Sequence, residues 1–250
     1  MKRHEVILQT LQNKRHIEVQ ELCTLLDVSS VTIRKDLKLL EDKGLLYRTH
    51  GGASLDNPYT KDRSINEKES FFTEEKAAIA AAGAALITGK DSIIIASGTT
   101  VLALARAIQP KGALTIVTSA LNVALELLKH PEVEILQLPG YIRHSSSSVT
   151  GEYAEKILAE TSCSKLFLGV DGIDIDYGLT TTSLNEARLN QKMIKSAHET
   201  IVLADSSKFG KRGFGKICGL EEIKQIITDK GTPKHIIQQL EEMNITVTIV

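Results

Sequence analysis

Tryptophan is absent from this 250-residue chain, and aromatic residues make up only 4% of it. Single-stranded nucleic acid is gripped largely by stacking bases on aromatic rings, so that mode of binding has too few platforms here. Cysteine occurs at Cys23, Cys163 and Cys218 only, with no Cys-x-x-Cys and no histidine at metal-ligand spacing. A disulfide framework and a zinc site are therefore not expected, and the pattern fits reduced thiols. The seven histidines form no His-x-x-x-His pair. Neither a metal nor a cofactor is expected. No apolar run approaches the roughly eighteen residues of a membrane span, so no membrane helix is expected. The chain starts directly in an amphipathic pattern with no apolar leader core, which predicts a cytoplasmic protein. Charge of one sign is not in excess. The formal net charge is −1, so any attraction to nucleic acid has to be local.

What the chain does have is concentrated first in residues 28–52, VSSVTIRKDLKLLEDKGLLYRTHGG. On a helix, Ile33, Leu37 and Leu40 share one face at i, i+4, i+7. Val31, Arg34, Lys35 and Lys38 share the other. Ser29 stands at the N-cap position and Gly44 at the C-terminal stop. Leu45 to Tyr47 reads as a short strand, and Arg48-Thr49-His50-Gly51-Gly52 as a tight hairpin. Two helices precede: one with Val6, Ile7 and Leu11 inward, and Val19–Leu26 with Leu22, Leu25 and Leu26 inward. Residues 1–52 carry nine Lys/Arg against seven Asp/Glu, which alone would suit an ordinary solvated surface. The order of parts decides the matter: three helices and a hairpin form a winged helix-turn-helix, with the basic helix shaped for a major groove. Ser29, Ser30, Thr32, Arg34, Lys35, Lys38, Arg48 and His50 are the expected contacts to double-stranded operator DNA.

This first domain is assigned residues 1–56. Residues 57–72 are polar and follow the turn signal Asp56-Asn57-Pro58-Tyr59; they read as a linker. Residues 73–250 then alternate strand and helix. Thr73 is placed as the cap of an Ala-rich helix. Strands are expected at 92–96, 114–117, 133–138, 165–169, 200–204, 225–228 and 246–250. That alternation predicts an α/β domain with a mainly parallel sheet, whose ligands bind beyond the carboxyl ends of the strands.

The strand-end segments carry suitable chemistry. Ser97-Gly98-Thr99-Thr100 runs into a helix N-terminus, where free N–H groups and hydroxyls cradle phosphate or carboxylate. The same residues serve equally as plain caps. Arg143, in a loop ending at Gly151, and Lys208 are candidate phosphate partners. Asp171, beside Gly172, can accept from sugar hydroxyls. Thr180 follows in the next segment. Together they suit a phosphorylated polyol or sugar.

The segments Val28-Ser29-x-x-Thr32-Ile33-Arg34-Lys35-Asp36-Leu37, Thr73-Glu74-Glu75-Lys76, Ser97-Gly98-Thr99-Thr100, Gly169-Val170-Asp171-Gly172, Gly178-Leu179-Thr180-Thr181 and Ala204-Asp205-Ser206-Ser207-Lys208-Phe209 resemble the DeoR family of bacterial transcription regulators over nearly the whole chain. The resemblance implies a repressor of a carbohydrate catabolic operon, released from its operator by a sugar phosphate, and it implies Glu186 as a further ligand residue. Arg143-His144-Ser145-Ser146 and Glu186-Ala187-Arg188-Leu189-Asn190 resemble the subgroup that controls amino-sugar catabolism. Ala96 and Pro139 depart from the family pattern, which usually has aspartate and glycine there. The family's sensor domain is similar to ribose-5-phosphate isomerases, and a sugar-phosphate isomerase is the rival reading. The isomerase's Lys-Gly-Gly-Gly segment is missing, however, and Thr180-Thr181-Thr182 occupies that region. A non-enzymatic regulator is therefore expected. Paired operator half-sites imply a homo-oligomer, dimer or tetramer, held mainly by the α/β domain.

Overall fold

Apolar spacing sets the first helices in the computed structural model, which describes residues 3–49, 51–55 and 64–250. Helix α1 (Arg3–Lys14) buries Ile7 and Leu11, α2 (Val19–Leu26) buries Val19 and Leu22, and α3 (Ser30–Asp42) buries Ile33, Leu37 and Leu40. Strand β1 (His16–Glu18) lies between α1 and α2 in sequence, and β2 (Tyr47–Thr49) and β3 (Gly52–Ser54) follow α3. The strands form an antiparallel sheet in the order β1-β3-β2. The Ser29 hydroxyl accepts the Thr32 N–H at 3.3 Å, capping α3. At the other end Gly44 takes φ +69°, and the Leu45 N–H donates to the Leu40 carbonyl at 3.0 Å. This closes the helix as a left-handed C-terminal turn does. Two expectations need correction. Leu25 is 54% exposed, because it falls about 100° from the stripe formed by Val19, Leu22 and Leu26. The strand after α3 begins at Tyr47, with Leu45 exposed.

The chain folds as two units, Met1–Lys61 and Asp62–Val250. The second begins, among the described residues, with a helix that the linker reading did not contain. Helix α4 (Ile65–Glu69) is capped by the Ser64 hydroxyl, which accepts the Glu67 N–H at 3.3 Å, and it buries Ile65. Then come α5 (Thr73–Ala84), β4 (Ser92–Ile95), α6 (Thr99–Ala107), β5 (Leu114–Thr118), α7 (Leu121–Leu127), β6 (Val133–Gln137), β7 (Tyr141–Arg143), β8 (Ser148–Thr150), α8 (Glu152–Ala159) and β9 (Cys163–Gly169). The chain ends with β10 (Gly172–Asp174), β11 (Gly178–Thr181), α9 (Leu184–Lys195), β12 (Ala197–Leu203), β13 (Gly215–Cys218), β14 (Gln225–Thr228), α10 (Lys234–Glu242) and β15 (Thr246–Ile249). Thr73 is the first helical residue of α5 rather than its cap; Phe72 precedes it at φ 55° without a capping side chain.

Seven strands form a parallel sheet in the order β15-β14-β12-β9-β4-β5-β6. Successive side chains serve opposite faces. Ile93, Ile95, Phe167, Ile201 and Leu203 join one core cluster, with Ile79 of α5 and Leu104 of α6. Ile94, Leu166, Leu168 and Val202 join the other, with Leu158 of α8, Met193 of α9 and Leu240 of α10. Both faces are thus covered, as a parallel sheet requires. The hairpin β7–β8 and the antiparallel sheet β10-β11-β13 are additions that the alternation did not predict. At the amino ends of the strands, Asp91 accepts from Lys165 Nζ at 2.9 Å and Ser164 Oγ at 3.0 Å, joining the edges of β4 and β9.

The strand order reverses between β4 and β9. Chain growth runs outward through β5 and β6 on one side, and through β12, β14 and β15 on the other. A reversal of this kind opens a crevice at the carboxyl ends of the two central strands, where ligands of doubly wound sheets bind.

Candidate functional site

Helix α3 turns two different faces outward and inward. Arg34, Lys35 and Lys38 are exposed, as is Val31, while Ser30 and Thr32 are partly covered. Asp36 is buried on the inner side. It accepts Arg3 Nη2 at 2.9 Å, takes a second bond from Arg3 Nε, and lies 3.0 Å from His4 Nε2. The Arg3 bonds, with those of His4, outweigh the opposing effect of burial and hold the Asp36 carboxyl below the usual carboxylate range. This fastens α1 behind α3 and leaves the basic side outward. The Ser29 hydroxyl is occupied by the cap and sits 3.0 Å from Thr32 Oγ1. On β2, the Arg48 N–H donates to Glu41 Oε1 at 2.7 Å, and its guanidinium lies 3.8 Å from Glu41 Oε2. Arg48 therefore ties the wing to α3 as well as standing beside the basic face. His50 lies outside the described residues.

In the second unit a cleft partly open to solvent sits at the reversal point. Seven predicted ligand residues line it: Ser97, Gly98, Thr99, Thr100, Asp171, Glu186 and Lys208. Gly98, at φ 134°, turns the chain from β4 into α6, and no side chain caps that helix. A residue with a Cβ is strained at this φ. The first N–H groups of α6 have no acceptor within the helix, so they form a donor site facing the cleft. Asp171 follows β9, the neighbour of β4, and Lys208 sits in a 3-10 turn, Ser206–Lys208, after β12, the neighbour of β9. The strand order alone explains why these distant residues meet.

The charges in the cleft are coupled. Asp171 accepts Lys68 Nζ at 2.7 Å, Thr181 Oγ1 at 3.1 Å and the Thr182 N–H at 3.2 Å. Burial pushes its pKa up, but the charges of Lys68 and Lys208 and these hydrogen bonds prevail and hold it below the usual range. Glu186, at the start of α9, is buried. It accepts Arg143 Nη1 at 2.8 Å, Ser148 Oγ at 3.3 Å and Thr181 Oγ1 at 3.3 Å. Arg143 therefore reaches the site through Glu186 and does not line the cleft itself. Next to the site, Lys76 is buried on α5 and donates to the Lys68 and Phe71 carbonyls at 2.5 and 2.6 Å. Burial chiefly lowers its pKa, with Asp205 opposing.

Three more predicted ligand residues lie outside the lining. Gly151 is the N-cap of α8. Gly172 begins β10, packed against the Lys211 backbone. The Thr180 hydroxyl is spent within that sheet, donating to the Gly172 carbonyl at 3.3 Å and accepting the Gly213 N–H at 2.7 Å. In their place the cleft has Lys68, Ile65, Ser145, Thr181 and Asn190. Lys68 comes from α4, in the stretch read as linker. Its sequence signal was the Ser64-x-x-Glu67 capping box. Asp174, three residues after Asp171, is held by Arg212 through two 2.8 Å bonds outside the lining. Burial pushes the Cys163 thiol up, and burial with Glu222 and Glu221 pushes Cys218 to about 12, so neither is a reactive thiolate. Among the described residues no three His, Cys, Asp or Glu side chains group as metal ligands, and no helix is long and apolar enough to cross a membrane.

Comparison with known proteins adds to this geometry. Residues 3–58 match the DeoR-like helix-turn-helix domain, and residues 72–230 match the DeoR C-terminal sensor domain. The chain is 36% identical to a protein of Escherichia coli O157:H7 named as a candidate transcriptional repressor of the aga operon, over 99% of this chain and 93% of that one. It is 35% identical to the lactose phosphotransferase system repressor of Staphylococcus epidermidis, over 88% of each. Among solved structures, a ribose 5-phosphate isomerase A of Methanocaldococcus jannaschii covers 58% of this chain with 55% of its own length, at 15% identity and a TM-score of 0.39. At that score no shared activity follows.

Proposed function

The chain belongs to the DeoR family of transcriptional regulators, and from that premise we propose that it is a repressor of a carbohydrate operon whose effector is a phosphorylated sugar bound in the cleft of its second unit. One observation carries the effector assignment. The uncapped N-terminus of α6, Lys68 and Lys208 converge on the same cleft as Asp171 and Glu186. Arg143 pairs with Glu186 from behind the lining and Lys68 pairs with Asp171, which leaves the charge of Lys208 beside the N–H donors of α6. A phosphate monoester matches that pole. Asp171, Glu186 and Asn190 offer acceptors and a donor to hydroxyl or amide groups at the other. The relative named for the aga operon, together with the segments 143–146 and 186–190, supports an amino-sugar phosphate within this class.

The isomerase reading has no comparable support. Proton abstraction needs a carboxylate free to act as base on a substrate C–H. Glu186 is buried and bonded to Arg143 and Ser148, partly buried Asp171 is bonded to Lys68 and the Thr182 N–H, and the Thr181 hydroxyl lies within reach of both. Both are arranged to hold position. In the first unit, Ser30, Thr32, Arg34, Lys35 and Lys38 are assigned to the operator, with Arg48 at the wing. Ligand binding that favours one arrangement of the protein lowers operator affinity by the difference in its affinity for the two arrangements. The test is a thermal-shift screen of hexose, hexosamine and pentose phosphates, with each binder then titrated into an operator complex. A protein that none of them stabilises would sink the effector assignment.

A further inference from the structure

Helix α4 occupies an unusual position in the chain. Residues 55–64 alone separate it from the end of β3, so it is the first described element after the DNA-reading unit. Yet its side chains Ile65 and Lys68 line the ligand cleft. Its anchors also lead back to that cleft. The Ile65 N–H donates to the Ser145 carbonyl at 2.7 Å, and Lys68 Nζ donates to Asp171 Oδ1 at 2.7 Å. Glu69 pairs with Arg106, in the last turn of α6, at 2.6 Å. Lys76 Nζ holds the Lys68 and Phe71 carbonyls from below. A five-residue helix has little stability of its own, so these contacts decide whether it stays docked.

We propose that Lys68 is an effector-contacting residue that makes α4 a ligand-responsive clasp on the segment leading from the DNA-reading unit. The inference rests on the sugar-phosphate reading of the cleft. Asp171 is the carboxylate that both Lys68 and Lys208 face. A phosphate arriving at the α6 N-terminus gives Lys68 a second acceptor while Asp171 keeps the first. The ammonium has three donors, so it can serve both. The bound state therefore docks α4 more firmly than the free state. Because α4 is joined covalently to the DNA-reading unit through the preceding residues, a shift in its docking equilibrium is transmitted along the chain to that unit. That is a coupling between ligand and operator of the kind linkage requires.

The experiment uses the full chain with galactosamine 6-phosphate and N-acetylgalactosamine 6-phosphate as probes, and an operator duplex obtained by in vitro selection with the wild type. Amide hydrogen exchange is read over residues 65–69, thermal stabilisation over the whole protein, and operator affinity by anisotropy. In the wild type, a stabilising probe is expected to slow exchange in α4 and weaken operator binding roughly 5–150-fold, whereas in Lys68→Met the operator response falls below about 2-fold. Lys68→Met should still be stabilised by the probe, less than wild type, through Lys208 and the α6 N-terminus. Lys68→Arg should restore the response. A Lys68→Met protein that releases operator as the wild type does overturns the clasp and leaves the sensor intact. So does a wild type that binds a probe with no change of exchange at 65–69. A wild type that neither these probes nor any other hexose, hexosamine or pentose phosphate stabilises removes the reading of the cleft, and the clasp with it.

Discussion

Replacing Lys208 by methionine isolates the phosphate contact proposed for it, because methionine keeps the apolar stem of the side chain and removes the ammonium. A hydrogen bond to a charged group contributes about 1.5–3 kcal/mol, which is on the order of a 10–150-fold loss of ligand affinity at 1.4 kcal/mol per decade. The free protein should not suffer. Burial first, and the charge of Lys208 after it, lowers the pKa of Lys76, so removing Lys208 makes that ammonium easier to keep, while Asp171 retains Lys68 as its ion-pair partner. Melting in the absence of ligand is therefore expected to match the wild type. With ligand at about 100 times the wild-type Kd, the wild type gains roughly 2.7 kcal/mol, and a variant weakened about 100-fold gains roughly 0.4 kcal/mol. For a unit of this size that converts to about 5–11 °C against about 1–2 °C. The assay is differential scanning fluorimetry of both proteins against the best-stabilising sugar phosphate. Operator affinity without ligand should be equal for the two. A Lys208→Met protein with the full wild-type shift would refute the placement of phosphate beside Lys208, whatever the identity of the sugar.

Three further outcomes follow from the same structure. Arg34→Ala with Lys38→Ala should weaken operator binding without unfolding α3, since both are exposed; a base contact is worth about 1–3 kcal/mol, and each phosphate partner removed lowers the salt slope by about 0.9. Unchanged affinity across a salt titration would show that this face does not meet DNA. Gly52→Ala drives a Cβ into the Ile17 carbonyl oxygen, so the β1–β3 pairing must open, at a cost of about 1–3 kcal/mol typical of overpacking; chemical denaturation should show the first unit destabilised and the second unaffected. The Asp36 carboxyl titrates below its unfolded value in the folded state, so its stabilising effect is complete above the unfolded pKa and is lost as pH falls through the folded one. The first unit should therefore lose stability on acidification below about pH 4, and Asp36→Asn should remove that part of the pH dependence while lowering stability at neutral pH.

The first unit was legible because its periodicities are clean. Ile33, Leu37 and Leu40 share a stripe, Ser29 caps, and Gly44 stops, and the structure uses each in that role. Leu25 was misplaced because a helix of eight residues has too few turns to fix the centre of its buried face. Strand β1 was missed for a related reason. Three residues carry no usable alternation, and β1 exists only because β3 pairs with it across the sequence. The same holds for β7, β8 and β10, short strands made by hairpins rather than by their own apolar pattern. The seven parallel strands announced themselves, since burial on both faces requires continuous runs such as Ile93-Ile94-Ile95 and Leu166-Phe167-Leu168.

The cleft was half legible, and the division follows from what a sequence can express. Residues directly after strands can be listed from the sequence, because a parallel sheet places all carboxyl ends along one edge. Ser97, Asp171 and Lys208 came from that rule. What the rule does not give is lateral order. Only the pairing of β4 with β9, and of β9 with β12, places those three loops side by side rather than spread along the sheet. Nor does it give residues that reach the edge from outside the sheet. Lys68 belongs to a short helix lying in a charged stretch, and the chemistry that recruits it is the need of a partly buried Asp171 for a cation. Glu186 makes the same point from the other side. It lines the cleft, but its carboxylate is already bonded to Arg143, Ser148 and Thr181. An effector that engages Glu186 must then bond to a group held rigid, and discrimination among sugars falls to the shape around it. Asn190, one helical turn further along α9, is the neighbour that can report a substituent there. Exchanging Asn190 for aspartate, close in size but without the amide donor, should change which sugar phosphate binds best more than how tightly phosphate is held. Binding of a panel of 2-amino, 2-acetamido and 2-hydroxy hexose 6-phosphates decides it. A variant whose affinities fall equally for all three would place Asn190 in general support of the cleft and not in selection.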